Sequence, residues 1–262
     1  MNVESTAMKL LRDLQRAVAD GLNSLGNRQS EGLRDNYIFY SASHINRAVD
    51  GFLFLREGFR VDAAKLTIRP AMEAMFRIEA ARNKPELLYR MAYTERLEIR
   101  KWVGPAAVRL DKAGDGSPDG EKQWEGFRRI EEGQWKRFRQ LYEEQFPGHK
   151  LVDETIPLIE VAKGAKLQTY YDSHYRMYCK YAHAALVASA DLVDEIADPE
   201  DSRTMVCCAF SALDGVLALG AKIPDFESLN ERVEKLRKEP RQELKRNRPG
   251  LGSSRMNLSD AT

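Results

Sequence analysis

Cysteine, glycine, proline and long apolar runs are all scarce in this sequence of 262 residues. Of its three cysteines, Cys207 and Cys208 are neighbours and Cys179 stands alone. This pattern fits neither a disulfide framework nor the spaced cysteine pairs of a zinc site. With only 17 Gly and 10 Pro, the chain is not collagenous or linker-like. The most apolar stretch, 204–213, is far shorter than the roughly 20 residues of a bilayer-spanning helix, so no membrane contact is predicted.

The sequence also lacks an excess of either charge. It has 41 Lys plus Arg against 40 Asp plus Glu, a net charge of +1, whereas nucleic-acid and membrane-surface binders usually carry a clear basic excess. A hydrophobic content of 43% together with 31% charged residues is typical of a folded, water-soluble domain and not of a disordered chain.

A secretion signal is missing from the first residues of the sequence. Glu4, Lys9, Arg12 and Asp13 interrupt the stretch where a signal peptide would carry an unbroken apolar segment. We therefore expect a cytoplasmic protein whose thiols stay reduced.

Helical periodicity is what the sequence does contain. Apolar residues recur at intervals of three and four along nearly the whole chain, which is typical of amphipathic helices. No strand-like alternation, Gly-rich phosphate loop or internal repeat is evident. The predicted fold is an all-α, multi-helix bundle. After an N-terminal helix, the predicted helices are 36–57, 62–82, 85–103, 121–146, 156–162, 168–193, 202–221 and 226–236.

Several helix boundaries are predicted from single residues. Asp62 is a plausible N-cap, and Pro70 should kink or divide the helix that follows, because proline lacks the backbone donor. Residues 198–199, Asp-Pro, are expected to form the turn of a helical hairpin. Residues 111–120 match only the first half of a calcium-binding EF-hand loop, so we interpret them as a solvated turn.

Charge and helix pattern together suggest three parts of the chain. We predict an N-terminal helix and linker at 1–35, a helical bundle domain at 36–237, and a flexible basic tail at 238–262. The tail has six basic and three acidic residues, a net charge of +3, which leaves −2 for the rest of the chain.

The sharpest candidate for chemistry is Arg176-x6-His183 in a tyrosine-rich helix. Seven residues return to within about 20° of the starting direction, so both side chains share one helical face. A guanidinium can hold a phosphate while an imidazole moves the proton of an RNA 2′-hydroxyl. Lys180 adds a second cation one turn from Arg176. In the structural alternative, Arg176 pairs with a carboxylate and His183 packs among tyrosines.

This arrangement resembles the Arg-x4-6-His motif of HEPN domains, all-helical bundles that dimerise and often act as metal-independent ribonucleases in toxin–antitoxin and phage-defence systems. That family commonly has a polar residue after the arginine, where this chain has Met177. Family members often place an acidic residue on an earlier helix near the site, and the resemblance implies Glu73 for that position.

A second constellation is Arg69-Pro70-x2-Glu73-x3-Arg77, whose charged residues follow one another at i, i+4 along one helical face. It is either a surface ladder of ion pairs or a partly buried carboxylate that faces His183. The Arg-Pro-x2-Glu run followed by a tyrosine-rich helix and a histidine also resembles an uncharacterised family of bacterial helical domains of unknown function. His44, beside Arg47 on the second helix, is interpreted as a surface or interior histidine and not as a ligand.

The resemblance implies a HEPN-like, metal-independent endoribonuclease or toxin, with no metal and no cofactor. The alternative is a non-catalytic interaction subunit whose charged 121–146 helix and basic tail contact a partner. Expected partners are RNA, a partner protein or antitoxin, and a second copy of the chain. The predicted catalytic residues are Arg176, His183, Glu73 and Arg69, and the predicted nucleic-acid-binding residues are Lys180, Arg77, Lys245 and Arg246.

Overall fold

Helices make up all the regular structure in the computed structural model, which describes residues 5–26, 32–98, 118–151, 154–182 and 198–239. The prediction of an all-α, multi-helix bundle is confirmed. Among the described helices, none has the length and apolar character that crossing a membrane requires. The helices are α1 (Thr6–Leu25), α2 (Leu33–Glu57), α3 (Val61–Asn83), α4 (85–98), α5 (Pro118–Gln145), α6 (Leu158–Gly164), α7 (Gln168–Tyr170), α8 (Arg176–Ala182), α9 (Asp198–Ala218) and α10 (Phe226–Lys238).

The main core is aliphatic and lies where α1, α2, α3 and α9 meet, with α10 packed beside α1 and α9. Leu11 and Leu14 of α1 are fully buried against residues such as Ile45 and Leu213. Helix α1 begins because the Ser5 hydroxyl accepts a hydrogen bond of 3.3 Å from the Met8 amide. Its apolar stripe then joins the same core as the later helices.

Helix α3 runs without a break through Pro70, so of the two predicted effects of this proline, a kink or a division, the division is wrong. Proline removes one hydrogen bond, the one to the carbonyl of Leu66. Leu66 lies on the exposed side of the helix, where water can supply the missing donor. The residues that follow, Ala71 and Met72, are fully buried, and their packing holds the helix together. Asp62 is not the cap, because the helix begins after Arg60.

The structure also corrects the prediction for Asp198 and Pro199. These residues form the first turn of α9 and not the turn of a hairpin. A proline fits there because the first helical residues have no intrahelical acceptor for their amides. The part of the predicted 168–193 helix beyond residue 182, and the tail after residue 239, lie outside the described residues.

A second, smaller core joins α4 to α5 and is aromatic. Tyr93 and Tyr142 are buried in it, with Trp135 packed against them. The guanidinium of Arg96 lies 4.4 Å from the centre of the Trp135 ring and binds Glu131 at 3.0 Å. This core fixes α4, whose Glu95 reaches toward α3.

Candidate functional site

The carboxylate of Glu73 joins the middle of α3 to the start of α8. Its Oε1 atom accepts a hydrogen bond of 3.0 Å from Arg69 Nε and one of 2.7 Å from the Tyr175 hydroxyl. The Arg69 guanidinium also lies 5.9 Å from the centre of the Tyr175 ring. With its side chain 25% exposed, Glu73 is partly buried. We call Arg69, Glu73 and Tyr175 the Glu73 cluster.

The electrostatics of the Glu73 cluster favour a neutral Tyr175 and a charged Arg69. Burial, followed by the hydrogen bond to the Glu73 carboxylate, raises the pKa of Tyr175. Partial burial opposes the charge on Arg69, but hydrogen bonds to Glu73 and Tyr175 outweigh it and raise the pKa of Arg69. The tyrosine therefore stays a hydrogen-bond donor and the arginine stays charged. In this state the cluster joins α3 to the start of α8.

A π-helical turn, Tyr171–Tyr175, carries Tyr175 to Glu73. Within it the Tyr171 and Tyr175 rings stack with their centres 4.9 Å apart, and Phe76 of α3 packs against both. One added residue in a turn redirects the side chains that follow, and such turns are frequent at functional sites. Helical periodicity alone does not place Tyr175 beside Glu73, and Tyr175 is not among the predicted site residues. The tyrosine-rich run is the feature of the sequence that could have pointed to it.

Arg176 follows the Glu73 cluster directly in the sequence but points elsewhere. Its side chain is 69% exposed, and the nearest carboxylate, that of Asp172 one turn earlier, lies at 3.8 Å. The structure does not bring Arg176 into contact with Glu73.

Of the other predicted residues, Lys180 lies on α8. His183, Lys245 and Arg246 lie outside the described residues.

Arg77 pairs with Glu95 of α4 at 3.7 Å. Together with Arg69, Glu73 and Tyr175, these two residues line a cavity of about 270 Å³.

A larger groove of about 500 Å³ adjoins that cavity and shares Arg77 and Glu95 with it. Its main wall is a stripe of α2 residues, Tyr37, Tyr40, His44 and Arg47, whose spacing of three and four keeps them on one face. We call this space, between α2, α3 and α4, the α2 groove.

His44 is the functional candidate that sequence reasoning set aside. Partial burial and the positive charges of Arg47 and Arg77 lower its pKa, while the charge of Glu73 acts in the opposite direction. The imidazole is therefore neutral at physiological pH and lies among cations. The three-residue spacing of His44 and Arg47 was visible in the sequence, but the approach of Arg77 from α3 was not.

A second histidine is held on the other side of the π-helical turn. His174 is buried, its Nε2 lies 2.8 Å from Glu200 Oε1 on α9, and its Nδ1 lies 2.6 Å from the Ser173 hydroxyl. The Tyr170 ring stacks on the imidazole at 4.4 Å. Ser173 also donates to the carbonyl of Thr169 at 2.7 Å, so the hydroxyl is held by the backbone and is not poised as a nucleophile.

No group of three or more His, Cys, Asp or Glu side chains within the described ranges is arranged to hold a metal ion. Comparison of the chain with models of known protein families, with curated proteins and with solved structures finds no match.

Proposed function

We propose that this chain is a HEPN-like, metal-independent endoribonuclease or toxin in which Arg176 binds the scissile phosphate of RNA. The observation that carries the proposal is the exposure of Arg176, whose side chain is 69% exposed and, among the described residues, pairs with the Asp172 carboxylate at 3.8 Å. A guanidinium offers two parallel N–H donors to a phosphate. An exposed pair with Asp172 contributes little, so a phosphate can replace it at small cost.

Two anchors hold the helix that carries Arg176. The residue before it, Tyr175, donates to Glu73, and Tyr178 two residues later donates to the buried Asp201 at 2.7 Å. A cation on a helix fixed in this way needs little reorganisation when a phosphate arrives. In this proposal Glu73 and Arg69 act through Tyr175, as positioning residues.

His183 supplies the proton transfer in the proposed reaction. It lies seven residues after Arg176, and this spacing in the sequence predicts one helical face for the two side chains. The imidazole takes the proton of the RNA 2′-hydroxyl as this oxygen attacks the phosphorus, and a 2′,3′-cyclic phosphate forms. The 5′-oxygen leaves with the electron pair of the broken P–O bond and takes a proton from water, which gives a 5′-hydroxyl end. Arg176 stabilises the charge that develops on the phosphate.

The test is cleavage of labelled RNA by the purified protein in the presence of EDTA. We expect products that end in 2′,3′-cyclic phosphate and at least a 100-fold loss of rate in Arg176→Ala and His183→Ala, the size typical for loss of general acid–base or charge-stabilising groups. Expression of the wild-type protein should also arrest growth, whereas the double variant should be tolerated.

Arg232→Ala is the matched control, because Arg232 is another half-exposed helix arginine beside a carboxylate, Asp13 at 2.7 Å. It should cleave like the wild type. If wild type and double variant are equally inert toward RNA and equally tolerated by cells, the ribonuclease proposal fails.

A second candidate function, a non-catalytic interaction subunit, is favoured by a different observation. Phe54, Phe59 and Leu66, around the turn between α2 and α3, are all more than half exposed, and neighbouring exposed apolar side chains often mark protein interfaces. Phe59 also has a positive φ of 57°, which is unfavourable for a bulky residue. A strained and exposed aromatic residue contributes nothing evident to the fold.

Phe59→Gly separates the two functions. Glycine accepts positive φ without strain, so the variant should fold at least as stably as the wild type. If the protein is an interaction subunit, analytical ultracentrifugation should show weaker self-association or weaker binding to a co-purified partner. If the ribonuclease proposal alone is right, RNA cleavage and assembly stay unchanged.

A further inference from the structure

The α2 groove has a positive charge that the described residues do not neutralise. Arg47 makes no hydrogen bond or ion pair with any residue in the described part of the chain, and Arg77 has there only the 3.7 Å contact to Glu95. The groove thus has two guanidinium groups, one carboxylate and a neutral imidazole along its length. Guanidinium groups that outnumber the carboxylates beside them are suited to a phosphate.

Tyr37 lines the same groove beside Glu95. Burial and the nearby Glu95 carboxylate raise the pKa of Tyr37, so its hydroxyl stays protonated and can donate to that carboxylate. Arg47 is then the charged side chain of the groove that has no ion pair with the described residues.

The mouth of the groove presents an aromatic face. Tyr40 is 68% exposed and lines the groove between Tyr37 and His44. Its ring is supported edge-to-face by Phe39, with ring centres 5.7 Å apart. An exposed ring on a rigid helix is the kind of surface on which nucleic-acid bases stack.

We propose that the α2 groove binds a nucleotide unit, with its base stacked on Tyr40 and a phosphate held by Arg47 and Arg77. The inference rests on the proposed function, because it identifies the unit as part of a single-stranded RNA. Tyr40 and Arg47 are seven residues apart, about 10 Å along the helix, which suits a ligand with an aromatic ring at one end and an anion at the other. The cavity of about 500 Å³ lies within the range of small-ligand sites.

The groove adjoins the cavity of the Glu73 cluster, because Arg77 and Glu95 line both. Tyr175 of that cluster directly precedes Arg176 in the sequence, but the Arg176 side chain points away from the cluster. We therefore assign the groove the role of holding the RNA, separately from the residues that are proposed to cleave it.

The experiment measures binding of a short fluorescein-labelled single-stranded RNA by anisotropy, in the Arg176→Ala, His183→Ala background so that cleavage cannot interfere. Tyr40→Ala should weaken binding by roughly 5-fold to 100-fold, and Tyr40→Phe should restore it, because stacking needs only the ring. Arg47→Ala should weaken binding and lower the salt dependence of log Kd by about one unit. A duplex of the same sequence should bind less tightly, since its bases cannot stack on Tyr40.

Arg232→Ala is the control, because Arg232 is a half-exposed helix arginine that does not line the groove. It should bind RNA like the background protein. Tyr40 and Arg47 are both exposed, so loss of folding is not expected, and circular dichroism melting checks this. A second arm titrates a free nucleoside monophosphate by NMR; shifts confined to the groove would show that one nucleotide suffices, and shifts only with the oligonucleotide would show that a strand is needed.

Two outcomes overturn the inference: no RNA binding by the background protein, or binding by Tyr40→Ala and Arg47→Ala that equals the Arg232→Ala control. An acidic peptide that binds through Arg47 with no effect of Tyr40→Ala would also contradict it. The two proposals fail separately. If the wild type binds RNA through the groove but does not cleave it, the ribonuclease proposal fails and the groove proposal stands. If it cleaves RNA at a rate that Tyr40→Ala and Arg47→Ala do not change, the groove proposal fails and the ribonuclease proposal stands.

Discussion

Two cavities of nearly equal size lie on either side of α3 and differ in how their polar groups are satisfied. The α2 groove is about 500 Å³, and a cavity between α3, α9 and α10, which we call the α9 cavity, is about 490 Å³. In the α9 cavity Ser211 donates to Glu79 at 2.7 Å, Arg82 binds Asp214 at 2.5 Å and His174 contacts Glu200 at 2.8 Å.

The difference shows that two cavities of equal volume can differ in how their polar groups are paired. Polar groups that satisfy one another, as around the α9 cavity, mainly join helices together. In the α2 groove Arg47 lacks an ion pair with the described residues, and Arg77 has there only the 3.7 Å contact to Glu95. A charged or polar group without a partner raises the free energy of the folded protein, and a ligand that pairs with the group can remove this penalty. The comparison predicts that substitutions beside the α9 cavity lower stability, whereas those in the groove lower binding.

The largest effect on stability is expected from Tyr178→Phe, at the junction of α8 and α9. The hydroxyl of Tyr178 donates to Asp201, and both residues are buried. Its removal leaves a buried carboxylate with one donor fewer, at a cost of about 1–3 kcal/mol in the free energy of unfolding. Urea denaturation measures the change. Tyr171→Phe, in a half-buried tyrosine of the same helical run, is the control and should change stability by under about 0.5 kcal/mol.

Tyr175→Phe should have a smaller effect on stability and a specific effect on activity. Glu73 keeps its hydrogen bond to Arg69 when the Tyr175 hydroxyl is lost, so the cost should be about 0.5–1.5 kcal/mol. If Glu73 positions Arg176 through Tyr175, kcat for RNA cleavage should fall while binding to the α2 groove stays unchanged. A fall in binding without a fall in kcat would place the hydroxyl in the groove and contradict the positioning role.

The paired substitutions Arg82→Met and Arg47→Met compare the two sides directly. Arg82 bridges Asp214 and Glu79 at 2.5 and 3.5 Å, and its loss should cost about 1 kcal/mol, since these groups are partly exposed and solvent screens them. Arg47 has no such partner, so Arg47→Met should leave the unfolding free energy within about 0.5 kcal/mol. Equal losses in the two variants would mean that Arg47 also has a structural role.

The fold was predictable from the sequence because helical spacing of apolar residues is a local signal. The bounds of α3 were also predictable, but Pro70 does not divide the helix, because burial of Ala71 and Met72 outweighs one lost hydrogen bond. The site was less predictable, because its geometry depends on non-local contacts. The i, i+4 pair of Arg69 and Glu73 could be expected on one helix, whereas the hydrogen bond from Tyr175 requires a π-helical turn that no spacing rule anticipates.

The smallest effect is expected from pH and concerns His44 in the α2 groove. Partial burial and the charges of Arg47 and Arg77 lower its pKa below the ordinary histidine value of 6.5. The unfolded state therefore takes up the proton at a higher pH than the folded state does. The free energy of unfolding has its full value above pH 6.5 and declines as the pH falls below it. The decline should be about a few tenths of a kcal/mol, because solvent screens a side chain that is only partly buried. It should be smaller in His44→Gln, which has no group that titrates in this range.

An NMR titration of the His44 ring tests the electrostatic environment that distinguishes the groove. Arg47→Gln should raise the pKa of His44, because it removes one of the two cations that disfavour the imidazolium. A nucleoside monophosphate bound in the groove should raise it further, since its phosphate brings negative charge beside the ring. A His44 pKa that ignores both changes would show that neither Arg47 nor the phosphate lies near the imidazole, and the groove would then resemble the α9 cavity in size alone.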